Sequence, residues 1–95
     1  MSARTIPVAV FRLGRIVATP NALAQLTQED ILMGIQRHQA GDWGEVSQED
    51  CKENELSLKQ GFRLLSVYHA ANHTKFWILT DADRSATTVL LPEDY

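Results

Sequence analysis

"FRLLSVYHAANHTKFWILTDADRSATTVLL", residues 62–91, decides the fold. Three runs rich in β-branched and aromatic residues are separated by two clusters of turn formers. "FRLLSVYHA" (62–70) is largely apolar on both faces near its middle, which predicts a central strand. "AANH" is a turn in which Asn72 tolerates positive φ. "TKFWILT" (74–80) is the second strand and "DADRS" the second turn. "ATTVLL" (86–91) is the third strand, ended by Pro92. Three strands joined by short turns form an antiparallel meander.

Upstream the pattern is helical. In "SQEDCKENELSLKQG", Ser47 is an N-cap, Glu49 and Asp50 suit the first turn, Lys59 the last, and Gly61 stops the helix. Its apolar residues are few (Cys51, Leu56, Leu58), so it should lie on the outside. In "LTQEDILMGIQRHQAG", Thr27 is the N-cap, with Asp30 as a capping-box acid. Leu26 and Ile31 make a hydrophobic staple, Ile31, Ile35 and His38 share one face, and Gly41 ends the helix. "TPNALAQL" is a two-turn helix capped by Thr19, with Pro20 in the first position. "VAVFRLGRIVAT" reads as a strand from about Val8 to Ala18, where Gly14 marks a bulge or a close backbone approach. Residues 1–7 read as a frayed tail. The order β-α-α-α-β-β-β is an α+β fold: an antiparallel sheet of about four strands with helices packed on one face, in a single domain over residues 1–95.

The charge balance limits the partners. A net charge of −3 argues against a general nucleic-acid partner. The acidity is concentrated: residues 41–61 hold six acids against Lys52 and Lys59. The single Cys51 forms no internal disulfide, and no cysteine pair suggests zinc. No apolar run approaches membrane-spanning length, and no signal peptide is recognisable, so the expected setting is cytoplasmic.

"GDWGEVSQED" (41–50) gathers Asp42, Glu45, Glu49 and Asp50 around Trp43. Clustered carboxylates suit a hard cation, but the spacing is not that of a calcium loop. Glu49 and Asp50 answer the helix dipole instead, as the twin starts "LTQEDI" and "VSQEDC" show. Trp43 is left unexplained by capping. It either anchors the loop into the core edge or presents a ring to a partner, with Asp42 and Glu45 beside it as the candidate binding set. His69 and His73 flank one turn without a third ligand, so neither a metal nor a cofactor is expected. His38, near a helix C-terminus, would suit the dipole when protonated. Arg63, His69 and Arg84, with Tyr68 and Thr88, make the inventory by which a small toxin-like ribonuclease positions phosphate. The simpler reading of "TDADRS" is a hairpin turn whose Asp and Ser accept backbone N–H groups while Arg84 pairs with a neighbouring acid. No nucleophile–base spacing, Gly-rich phosphate loop or serine elbow appears.

"FRLGRIVATPNAL", "GDWGEV", "GFRLLSVY" and "TKFWILTDADRSATTVLLPEDY" together resemble a family of small bacterial proteins carried on plasmids and other mobile elements. Its members are often labelled as type I restriction-related by gene neighbourhood. The resemblance runs from about Phe11 to Tyr95, with "GDWG" and "TTVLLPEDY" its most specific parts; Asn21 stands where the family has glycine. It implies a mobile-element setting but no activity. A methyltransferase subunit would need a Gly-rich cofactor-binding turn, which this chain lacks. The leading expectation is a non-enzymatic protein-binding module that docks on a host or mobile-element protein as an anti-defence or regulatory factor. The alternative is a toxin-like ribonuclease using Arg63, His69 and Arg84. A homo-oligomer built on an exposed sheet edge or face is the third.

Overall fold

The computed structural model describes residues 9–95. The tail expected over residues 1–7 lies outside them. Three helices and four strands follow in the expected order: β1 (Arg15–Ala18), α1 (Pro20–Gln25), α2 (Gln28–Gln39), α3 (Gln48–Gln60), β2 (Leu64–His69), β3 (Lys75–Thr80) and β4 (Ala86–Leu90). A single 3-10 turn, Pro92–Asp94, closes the chain.

The helix starts are built as their residues dictate. The Thr19 hydroxyl accepts from the Ala22 N–H at 3.1 Å, and Pro20 takes the first turn of α1. Thr27 and Asp30 form a reciprocal capping box on α2. Ser47 caps α3 through the Asp50 N–H, and Gly61 ends it at φ 78°.

The sheet order is β1-β4-β3-β2. β2, β3 and β4 form the antiparallel meander. β1 joins it parallel to β4, so the sheet is mixed. The helical crossover returns the chain to the end of the sheet where β1 began, which makes β1, β2 and β4 run the same way. β1 is also shorter than the strand expected over residues 8–18. Before Arg15 the chain leaves the sheet plane, and the Val10 N–H donates to the Gln39 carbonyl at the end of α2. Gly14, at φ 65°, is the pivot: a β-carbon there would lie 2.3 Å from the Ser85 backbone.

α1 and α2 cover one face. Leu64, Ser66 and Tyr68 of β2, Phe76, Ile78 and Thr80 of β3, and Thr87 and Val89 of β4 are buried there against Ala22, Leu26 and Ile35. Gly34 lets α2 come down onto the sheet; a β-carbon there would meet Phe76 at 2.9 Å. On the opposite face Leu65, Trp77, Leu79 and Thr88 are partly exposed, and Tyr95 packs edge-on against Trp77.

β2 is an edge strand, not a central one. Its apolar flanks misled the expectation because other parts of the chain cover its outer edge. Asn54 of α3 pairs with both main-chain groups of Leu65, at 2.8 and 3.1 Å. The loop Trp43–Glu45 pairs with both main-chain groups of Val67, at 3.0 and 2.8 Å. That edge is thereby closed to other chains.

Candidate binding surface

"GDWG" is the clip that holds this edge. Gly41 leaves α2 at φ 83°. The Asp42 carboxylate takes the Arg37 guanidinium at 2.8 Å and the Gly44 N–H at 3.1 Å. Arg37 and the Gly44 N–H hold the Asp42 carboxyl below its usual range. The Tyr68 hydroxyl donates to the Asp42 carbonyl at 2.5 Å, and burial pushes its pKa up to about 12.

Trp43 is 4% exposed. Its ring packs on Phe11 and edge-on against His38, and its N–H donates to Glu55 at 3.0 Å. It is thus a core anchor, and no ring face is left for a partner. Glu45 pairs with His69, and both are exposed. Of the candidate binding set, Asp42 and Glu45 therefore sit at the surface already engaged by Arg37 and His69, while Trp43 is inside.

The ribonuclease inventory does not converge. Arg63 immediately precedes β2 and His69 ends it, roughly 20 Å apart along the strand. Arg63 lies over the Tyr95 ring. Arg84 is at the same end of the sheet as Arg63, but its guanidinium is engaged. It donates to the carbonyls of Phe62 (2.6 Å), Ser57 (3.0 Å), Asp81 (3.1 Å) and Ala82 (3.2 Å), tying the end of α3 to the β3–β4 turn. The pairing with a neighbouring acid expected for Arg84 is replaced by these carbonyls. The turn is otherwise as read: Asp83 accepts from the Ser85 N–H at 3.0 Å. In the first turn the positive φ falls on His73, not Asn72, whose side chain instead accepts from the Thr74 N–H.

His38 is fully buried, so the protonated role expected at the helix end is corrected. Burial first, and the Arg84 charge second, bring its pKa down to about 3. The ring is therefore neutral near pH 7, and its tautomer follows from its neighbours. The Leu13 carbonyl can only accept, so Thr87 donates to it at 2.7 Å. Thr87 then accepts from Thr80 at 2.8 Å. Thr80 accepts in turn from His38 Nε2–H at 2.8 Å, and Nδ1 accepts from the Ser66 hydroxyl at 2.5 Å. The chain of bonds is buried from Ser66 to Thr87 and ends at the part-buried Leu13 carbonyl. It fixes Leu13, and hence the path into β1, rather than facing a substrate.

A different surface has no partner among the described residues. The residues of β1 alternate between β4 and the outside. The N–H groups of Arg15 and Thr19 bond to Ser85 and Val89, so the main-chain groups of Ile16 and Ala18 point outward. Beside that free edge, Ile16, Ala18, Leu23, Leu26, Ile31, Leu32 and Val89 line a groove of about 610 Å³ between β1 and the two helices. Ile16, Leu23 and Leu32 are 48%, 62% and 52% exposed. Sequence reasoning passed over these residues. The available signal was Leu32, an apolar position beside the Ile31, Ile35 and His38 stripe that buries α2.

Among the described residues there is no cluster of His, Cys, Asp and Glu fit to hold a metal, and no helix long and apolar enough to cross a membrane. Comparison with protein-family models, with curated proteins and with solved structures returns no significant match.

Proposed function

We propose that this protein is a non-catalytic binding module that docks another protein chain on the β1 edge and its groove. The observation that carries this reading is the coincidence of a strand edge that has no partner among the described residues with three large, half-exposed aliphatic side chains in one groove. Strand edges of this kind bind extended segments through main-chain hydrogen bonds, while flanking pockets select side chains. Single exposed apolar residues are ordinary, whereas a contiguous apolar groove is a marker of interaction. The alternative ribonuclease would need Arg63, His69 and Arg84 at one phosphate, and two of these are engaged elsewhere. The resemblance to mobile-element proteins makes an anti-defence or regulatory role the expected setting.

The test is affinity capture from the native host with the wild type, Leu32→Glu, and Leu56→Glu as a control on α3. A partner lost with Leu32→Glu and kept with Leu56→Glu supports the groove. A partner kept by both variants, or RNA cleavage abolished by Arg63→Ala, overturns the proposal.

A further inference from the structure

Resting on the docking role of the β1 edge, we infer that its occupant is a second copy of this chain, paired antiparallel along β1 about a twofold axis at Val17.

The hydrogen-bonding pattern is self-complementary. With the axis at Val17, Ile16 of one copy faces Ala18 of the other. Both carry outward main-chain groups, so each pair exchanges two N–H···O bonds. Across the interface the large Ile16 side chain lies beside the small Ala18. Val17 meets its own mate on the opposite face of the sheet. The two sheets become one continuous sheet with α1 and α2 of both copies on the same side, because the axis stands perpendicular to it. Leu23 and Leu32 of both copies then line one joined groove over Ile16.

Charge favours a second copy over an unrelated strand. In this register Arg15 stands directly opposite Thr19 of the partner copy, in a pair without main-chain bonds, where side chains approach most closely. The Thr19 hydroxyl donates to Asp94 at 2.6 Å, and Asn21 holds the other carboxylate oxygen at 2.7 Å. Asp94 is thus a fixed carboxylate at the place where the partner's Arg15 arrives. Within one chain, among the described residues, neither Arg15 nor Asp94 has an ion-pair partner. The twofold supplies both, twice.

The test starts from a Cys51→Ser background carrying Val17→Cys. The two copies of residue 17 would face each other with Cα atoms about 4.5 Å apart, within disulfide range. Mild oxidation should give a covalent dimer, while Leu56→Cys in the same background should not. By sedimentation, Arg15→Glu should weaken the wild-type dimer roughly tenfold. Adding Asp94→Lys should restore it, which a folding defect would not do. A chain that stays monomeric at about 100 µM, with Val17→Cys oxidising no faster than Leu56→Cys, overturns the self-pairing. If Leu32→Glu still abolishes host-protein capture in that case, the groove docks another chain and only the choice of partner is wrong. If Leu32→Glu leaves both dimer and capture intact, the groove reading falls as well.

Discussion

Gly44 lies against the main-chain carbonyl of Val67: a β-carbon on residue 44 would sit 2.0 Å from that oxygen, and the Tyr68 ring is 2.7 Å away. The contact brings the 43–45 loop close enough to pair with β2. Gly44 also holds φ 72°, where a side chain is strained. Gly44→Ala must either break the pairing with Val67 or push β2 inward. We expect a loss of about 3 kcal/mol in urea unfolding. A loss under about 0.5 kcal/mol would show that the loop yields freely.

The buried His38 ring sets a pH dependence. Its pKa is near 6.5 in the unfolded chain and about 3 when folded. Between these values the unfolded chain binds a proton that the folded one refuses, so stability falls as pH falls. The contribution is complete above about pH 6.5 and drains away toward pH 3, by up to roughly 5 kcal/mol. His38→Gln, which retains a donor and an acceptor, should flatten this slope. Unfolding curves at pH 7, 5.5 and 4.5 check it; equal slopes in both proteins would assign the acid sensitivity to other groups.

Thr87 stands in the middle of the hydroxyl chain, between Thr80 and the Leu13 carbonyl. Thr87→Val keeps the shape and removes both bonds, leaving the part-buried Leu13 carbonyl without this donor and the buried Thr80 O–H without an acceptor. The expected cost is about 2 kcal/mol. Faster amide exchange at the start of β1 should accompany it, because the Leu13 carbonyl is what the chain holds. Unchanged exchange there would separate Thr87 from the placement of β1.

Arg84 and Arg63 should part company. Arg84→Ala removes a guanidinium that serves four carbonyls, and we expect it to cost about 2 kcal/mol. Arg63 is exposed and only lies over Tyr95, so Arg63→Ala should change stability by less than about 0.5 kcal/mol. Thermal unfolding of the two variants measures the difference directly. Similar effects would mean that the Arg84 bonds contribute little in solution.

The elements were legible because their signals are local. Thr19, Thr27 and Ser47 each cap the helix that follows through a neighbour three positions on. Gly14, read as a bulge or a close approach, is a close approach to Ser85. The site was less legible. The carboxylates around Trp43 looked like an acidic patch, but Asp42 is matched by Arg37 and Glu45 by His69, partners five and twenty-four positions away. His38 was legible as part of the Ile31 and Ile35 face and as a helix-end residue, but its neutral, buried state depends on Ser66 and Thr80, which lie 28 and 42 positions away.

The sequence by itself determined the seven elements, their order, their caps and the α+β class, since capping, turn chemistry and periodicity act within a few residues. Tertiary structure alone decided that β1 runs parallel to β4, that β2 is an edge clipped by "GDWG", that Trp43 is buried and that the outer edge of β1 has no partner among the described residues. Each of these depends on which distant segments meet. A residue's neighbours along the chain set its conformation, but only its neighbours in space set whether its polar groups are satisfied and its apolar surface is covered.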